Sequence, residues 1–339
     1  MAITKNQHHV FRHYLESWKI PNKSQLFCLR KENKNIFSTN PKNVGVERYF
    51  YRFPILSDND MKVAKYIGSV LTSKSMNKEL EQLVKQIFNF YNGRRAFVDA
   101  VEASKHFRQW FKNNIGTNDE YEALTNSNDK CTADYIYEGL ESRYCHAENA
   151  GAYGLAKVQS GDLSFWEDTD ERNKFCYFLC NQYFRTKSMR DKLSRCLRDK
   201  ILDLKKHGIV DSLYKPNMNG ISQIICDYME AYLFCSDELF TKTPILLSNT
   251  TRTPFITSDN PIVNISECDD KGNPVDFILY FPVTPSSALL LVDGSNNHNS
   301  TFSVEDVNHY NLRIFDLAYK QVYANEHDVL ENIMQTSRF

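Results

Sequence analysis

The segment Ile256-Thr257-Ser258-Asp259-Asn260-Pro261 holds the residue types best suited to polar chemistry. An apolar run leads into small polar residues, and Pro261 biases Asn260 away from the helical conformation. We therefore expect Asp259 and Asn260 at a strand end, where their side chains can point into a cleft. A carboxylate beside an amide suits metal coordination, general base catalysis or hydrogen bonding of a substrate. A plain Asx turn between strands is the alternative.

Three other segments carry side chains of catalytic type. His9, with His8 beside it, precedes an aromatic stretch, and an imidazole suits a ligand, a general base or a packed core group. Glu148 lies among alanines and glycines that would let another backbone approach, so its carboxylate needs a partner. Arg185 is the natural partner, either in a pair that ties two helices together or as the group that grips a phosphate. In the latter case Glu148 and Asp259 would hold Mg²⁺.

A basic helix is predicted directly after this arginine. Between residues 186 and 206 the chain carries eight lysines and arginines against three aspartates. The pattern favours either a solvated helix face or a surface for phosphates or an acidic partner. The candidate phosphate or nucleic-acid contacts are Lys187, Arg190, Arg195 and Arg198.

Composition excludes several classes of function. The formal net charge is −1, which argues against a general nucleic-acid coat but leaves room for a local basic patch. The nine cysteines include no CxxC pair, which predicts reduced thiols, a cytoplasmic protein and no zinc site. No glycine-rich phosphate or dinucleotide loop is present, so no nicotinamide or flavin cofactor is expected. No apolar run reaches the ~20 residues that span a bilayer, so no membrane partner is expected.

The elements that must position these residues form a predominantly helical α+β pattern. Strand-like segments occur before residue 56 and after residue 241, and helical periodicity dominates 57–240. One helix is predicted to stop at Gly93, with a weaker helix over Phe97–Asn113. Another is predicted over Ala133–Gln159. We expect the terminal strands to pair in one small, mostly antiparallel sheet, so that 1–339 forms a single unit.

Several motifs in this order resemble a known family. They are His8-His9 followed by Tyr14-Leu15, Glu148-Asn149, Gln182-Tyr183-Phe184-Arg185-Thr186, Ser258-Asp259-Asn260-Pro261 and Phe281-Pro282-Val283-Thr284-Pro285-Ser286. Together they resemble the bacterial domain-of-unknown-function family 4238, over roughly His8 to Ala324. The resemblance implies a cytoplasmic bacterial or phage-type protein, often encoded near mobile or defence genes. Phe11-Arg12 stands where the family often has a proline-containing step, which puts the shape of the first helix in doubt.

The function predicted from these residues is metal-assisted hydrolysis of a phosphodiester or nucleotide, by a nuclease-type defence or toxin effector. Asp259 and Glu148 would hold Mg²⁺, His9 would activate water, Arg185 would stabilise the phosphoryl charge, and Asn260 would orient the substrate. One alternative is a non-enzymatic binding protein whose basic helix engages an acidic partner. Another is a metal-free glycohydrolase or transferase that uses Glu148.

Overall fold

The chain folds into two compact units, each assembled from separated stretches of sequence. The computed structural model describes residues 6–336 apart from 53, 55, 73–76, 115–139, 237, 271–273 and 295–302. The unit that we call helical comprises Met1–Gln7, Arg48–Tyr144 and Lys192–Cys235. The unit that we call mixed comprises His8–Glu47, Cys145–Asp191 and Ser236–Phe339. The prediction of one unit over 1–339 stays a prediction.

Helices and strands are numbered separately in chain order over the described residues. The helices are α1 (Arg12–Leu15), α2 (Asp58–Thr72), α3 (Lys78–Asn114), α4 (140–159), α5 (Thr169–Phe184), α6 (Lys187–Lys206), α7 (Met218–Cys235), α8 (Val304–Leu317) and α9 (His327–Thr336). The strands are β1 (Asn6–His8), β2 (Leu26–Arg30), β3 (Asn35–Thr39), β4 (Val46–Arg48), β5 (Thr243–Ser248), β6 (Thr257–Ser258), β7 (Val263–Asn264), β8 (Leu279–Thr284), β9 (Ser287–Val292) and β10 (Gln321–Ala324).

The helical unit is built around α7, which packs against α2 and α3. Ser57 begins α2 with a capping box: its hydroxyl accepts from the backbone N–H of Asp60 at 3.1 Å, and the Asp60 carboxylate accepts the Ser57 N–H at 2.8 Å. Apolar side chains of α2, α3, α6 and α7 form its core. Gly68 allows α2 and α7 to approach each other closely, because a Cβ atom at this position would lie 2.7 Å from the ring of Tyr228.

The predicted break at Gly93 is wrong. Helix α3 runs without interruption from Lys78 to Asn114, so the segment over Phe97–Asn113 is its continuation. A glycine inside a helix costs only ~1 kcal/mol relative to alanine, which the flanking helix-forming residues offset. Nothing lies within 4 Å of a Cβ atom built on Gly93, so this glycine serves no close contact.

The mixed unit contains the strands from both ends of the chain. One antiparallel sheet has the order β3-β2-β10-β6, so N-terminal and C-terminal strands pair as predicted, with Tyr323 opposite both Cys28 and Thr257. A second four-stranded sheet, β5-β9-β8-β7, uses C-terminal strands only. The prediction of a single sheet is corrected by this second one, because Pro285-Ser286 turns β8 back onto β9 as a local hairpin. The α+β, mostly helical fold class is confirmed.

Helices α4 and α5 carry much of the candidate site. Within the mixed unit, a Cβ atom on Gly151 would overlap Cβ of Phe178, and one on Gly154 would lie 2.6 Å from the ring of Phe175. The small residues around Glu148 therefore allow close approach, as the sequence predicted. Asp168 caps α5 by accepting the N–H groups of Asp170 and Glu171. Residues 133–139 of the predicted helix lie outside the described residues.

No helix in the described part of the chain has both the length and the apolar character that crossing a bilayer requires.

Candidate functional site

Gln182 joins the N-terminal segment to the end of α5. Its side chain is buried, and its Nε2 donates to the backbone oxygen of His9 at 3.0 Å. Its Oε1 accepts from the backbone N–H of Phe11 at 3.0 Å and from Nη2 of Arg185 at 2.8 Å. Because both ends of one rigid amide are used, the segments around residues 9 and 185 are held together.

Arg185 also contacts Glu148. Its Nη2 lies 2.5 Å from Oε1 of Glu148, with 1% of the arginine side chain and 16% of the glutamate side chain exposed. Thus α4 and α5 are linked by an ion pair that is almost fully buried on the arginine side. The structure brings together the two residues that the sequence paired, and their catalytic roles stay predictions.

His9 is buried near several cationic side chains. It is 6% exposed, and the pKa of its imidazole is lowered to about 3, with burial as the largest cause. The positive charges of Arg185, Arg190 and Lys187 contribute to the same lowering. Burial likewise lowers the pKa of His8, with the charge of Arg12 as the next cause. Both imidazoles are therefore neutral at pH 7.

Asp259 points its carboxylate at main chain. Its Oδ1 accepts the N–H of Tyr319 at 2.9 Å, and its Oδ2 accepts those of Lys320 at 2.8 Å and Gln321 at 3.0 Å. Burial raises the pKa of this carboxyl to about 6, although the three N–H groups act in the opposite direction. Three of the roughly four lone-pair directions of the carboxylate are thus used, which leaves one for any ligand. The geometry fits a residue that fixes the connection between α8 and β10.

The side chain of Asn260 contacts the residue that follows Arg185. The backbone N–H of Asn260 donates to Oγ of Ser258 at 3.1 Å, so the chain turns here through a serine side chain and not through the Asp or Asn side chain of an Asx turn. Its Nδ2 donates to the carbonyl of Leu317 at 3.2 Å. Its Oδ1 accepts the hydroxyl of Thr186, the residue after Arg185, at 3.3 Å. His9, Glu148, Arg185 and Asn260 are therefore linked through Gln182 and Thr186, whereas the carboxylate of Asp259 is directed elsewhere.

A group of three potential metal ligands lies close together within the described residues. It consists of His327, Asp328 and Glu331 on the first turns of α9, with their ligand atoms within 4.8 Å of one another. All three are at least 41% exposed. Glu148 and Asp259 belong to no such group among these residues, so a cation at the predicted site would rely on Glu148 with water or substrate oxygens.

Helix α6 carries the predicted phosphate contacts. Lys187 lies 3.5 Å from Glu47 and 3.5 Å from Asp191, and Arg190 is half-buried near His9. Both belong to the mixed unit, whereas Arg195 and Arg198 belong to the helical unit. Arg195 and Arg198 are exposed, and among the described residues neither has an ion-pair partner. Ser194, Leu197, Ile201 and Leu204 form the buried face of the helix.

Sequence reasoning missed a polar network in the helical unit. The carboxylate of Asp227 accepts from the hydroxyl of Tyr91 at 2.8 Å and from Nη1 of Arg143 at 2.7 Å. Glu230, one turn later on α7, accepts from Nη2 of Arg143 at 3.3 Å. The sequence did contain a signal for this network, namely two acidic residues in an otherwise apolar helical pattern. Sequence reasoning likewise gave no role to Gln182, a buried amide in an aromatic helix.

The fold and the site define an α+β protein with a buried Glu–Arg pair, neutral histidines and surrounding cations. The chain belongs to the DUF4238 family, described as a protein of unknown function, whose profile matches residues 6–328. Neither the curated proteins nor the solved structures include a match to this chain.

Proposed function

We propose that the chain hydrolyses a phosphodiester or nucleotide at the end of α5, as a nuclease-type effector of defence or toxin systems. The observation that carries the proposal is the position of His9. A buried, neutral imidazole lies within the electrostatic reach of Arg185, Lys187 and Arg190. Arg185 is paired with Glu148, and Lys187 lies 3.5 Å from both Glu47 and Asp191, so a bound anion would share or replace these carboxylate contacts. Phosphate is an anion that arginine and lysine side chains recognise well.

The proposed roles follow from the contacts. Arg185, fixed by Gln182 and Glu148, would bind a non-bridging phosphate oxygen and stabilise the charge that develops there. Glu148 keeps some solvent exposure and would hold Mg²⁺ or position the attacking water. Asn260 would orient the substrate. Asp259, which the sequence suggested as a metal ligand, would act chiefly by positioning Asn260.

His9 would act as a base that the substrate itself activates. With a pKa of about 3 the imidazole is a weak base at neutral pH. The negative charge of a bound phosphodiester or nucleotide would offset the neighbouring cations and raise that pKa. The water oxygen would then attack phosphorus as His9 takes its proton. The bond from phosphorus to the leaving oxygen breaks, and that oxygen receives the proton that His9 took from water.

A binding experiment tests the anion site without any catalysis. Histidine side chains labelled with ¹⁵N would be titrated with pH in the presence of inorganic phosphate or of chloride at equal ionic strength. We expect phosphate to raise the pKa of His9 by ~1 unit or more. Identical titration curves in the two salts would refute the anion site.

A second experiment tests hydrolysis. Single-stranded RNA and DNA and bis(p-nitrophenyl) phosphate would be incubated with the protein in Mg²⁺ or in EDTA. We expect turnover that the Glu148→Gln/Arg185→Met double variant loses and the Lys23→Gln variant, at an exposed lysine, retains. Turnover that needs Glu148 but persists in EDTA would show metal-free phosphodiester hydrolysis and refute the role of Glu148 as a Mg²⁺ ligand. Equal turnover in all three proteins would refute the site.

A second candidate is a non-enzymatic binding protein, which the exposed cations of α6 favour. Lys192, Arg195, Arg198 and Lys206 are exposed, and none has an ion-pair partner among the described residues. Here Glu148, Arg185 and the other buried polar groups would serve only to hold the fold. Salt-sensitive binding to an acidic protein or polyanion, lost in Arg195→Glu/Arg198→Glu, together with no hydrolysis by the wild type, would support this candidate.

A further inference from the structure

A cleft of about 280 Å³ lies in the mixed unit between α8 and α9. The residues of α8 that line it are Val304, Asn308, Asn311 and Leu312, and those of α9 are Val329, Asn332, Ile333, Gln335 and Thr336. Thr253 closes one side. Most of these residues follow the spacing of a single helix face, with the exposed amides of Asn308, Asn332 and Gln335 beside the buried side chains of Val329 and Ile333.

Asn311 is committed to the fold. Its Oδ1 accepts the N–H of Ile256 at 3.0 Å, and its Nδ2 donates to the carbonyl of Pro254 at 2.9 Å. In contrast, the side chains of Asn308, Asn332 and Gln335 have no hydrogen-bond partner within the described part of the protein. Three carboxamides on the walls of the cleft are thus available to a ligand.

The lining is also uncharged. No lysine, arginine, histidine, aspartate or glutamate is among the lining residues of the described chain. Burying a charged group there would leave that charge unpaired, which is unfavourable. The aliphatic side chains of Val304, Leu312, Val329 and Ile333 supply the apolar part of the lining.

We propose that this cleft binds a nucleobase. Each carboxamide presents one acceptor and two donor hydrogens, which match the mixed donor and acceptor edge of a base. The aliphatic walls would cover the faces of the ring. The volume, near the lower limit of small-molecule sites, suits a single base or a nucleoside. This proposal does not depend on the phosphate site, since the base itself carries no charge.

The base could come from a free nucleoside or from a nucleotide within a strand. Titration calorimetry with adenosine, guanosine, uridine and cytidine tests the first source, and a set of short oligonucleotides tests the second. We expect at least one of them to bind with a Kd below ~1 mM, and glucose not to bind. Binding by no nucleoside and no oligonucleotide, or equal binding of glucose, would overturn the proposal.

Three variants test whether the ligand binds in the cleft. Ile333→Trp fills it and should weaken binding by ~10-fold or more. Asn332→Ala/Gln335→Ala changes exposed side chains only, and should weaken binding even if the tryptophan variant fails to fold. Glu305→Gln, at an exposed position of α8 outside the lining, should leave the Kd unchanged. Wild-type affinity in the double alanine variant would show that the amides do not recognise the ligand.

Discussion

Breaking the ion pair between Glu148 and Arg185 should measurably destabilise the protein. Removing one partner of a buried pair costs ~3–5 kcal/mol, because the remaining charge is left uncompensated. With 1% exposure of its side chain, Arg185 depends strongly on its acceptors, but Gln182 still accepts one bond when Glu148 is changed. We therefore expect Glu148→Gln to lower the free energy of unfolding by about 2–3 kcal/mol. Arg185→Met should cost less, about 1–2 kcal/mol, because Glu148 reaches solvent.

A double-mutant cycle isolates the pair. Urea unfolding would be followed by circular dichroism for the wild type, both single variants and Glu148→Gln/Arg185→Met. Because the double variant leaves no buried unpaired charge, its loss should be smaller than the sum of the single losses by ~1–3 kcal/mol. The exposed pair Glu171 and Lys174, 2.6 Å apart, provides the control and should couple by less than ~1 kcal/mol. Additive losses for Glu148 and Arg185 would refute the buried contact.

The same cycle separates stability from function. The double variant is expected to stay folded, so its loss of phosphate binding or hydrolysis would report a role beyond joining two helices. If it retained both, the pair would belong to the fold alone.

Three other predictions concern pH and packing. Since the pKa of His9 is lowered to about 3 from 6.5, the unfolded state binds more protons between these values. Stability should therefore fall as the pH drops through this range, by at most ~1.4 kcal/mol per pH unit, and urea titrations should show a smaller slope for His9→Asn. Asp259 acts oppositely: its pKa is raised from 3.8 to about 6, so its contribution falls as the pH rises between them, and Asp259→Asn should remove that slope in the same assay. In thermal melts, Gly151→Ala should destabilise by ~1–3 kcal/mol because its Cβ would meet Phe178, whereas Gly93→Ala should stabilise by up to ~1 kcal/mol because its site is open.

Sequence patterns predicted helix and strand positions well where interactions between neighbouring residues determine them. Ser303 and Asp306 have the spacing typical of a capping box and form one at the start of α8, with the hydroxyl of Ser303 accepting the N–H of Asp306 at 3.2 Å. Gly93 misled the prediction, because the cost of one glycine is smaller than the gain from the turns on either side. The helix therefore continues through Gly93 to Asn114.

The site was harder to predict, because its geometry depends on contacts between distant residues. The pairing of Glu148 with Arg185 followed from the need of a semi-buried carboxylate for a cation. In contrast, nothing local indicated that the Asp259 side chain would turn to the N–H groups of residues 319–321. Nor could a sequence show that one amide, Gln182, would join the backbone of residues 9 and 11 to Arg185.

These contacts indicate different physical roles for the residues that were predicted to be catalytic. Asp259 is committed to main chain, and its burial opposes the charge that a metal ligand must carry. Glu148 and Gln182 fix the guanidinium of Arg185, but with 1% of this side chain exposed a phosphate could contact it only after the surrounding side chains move. His9 is neutral because of its burial and of the cations that an incoming anion would neutralise. The proton affinity of His9 and the binding of phosphate are therefore coupled, and each should strengthen the other by the same factor.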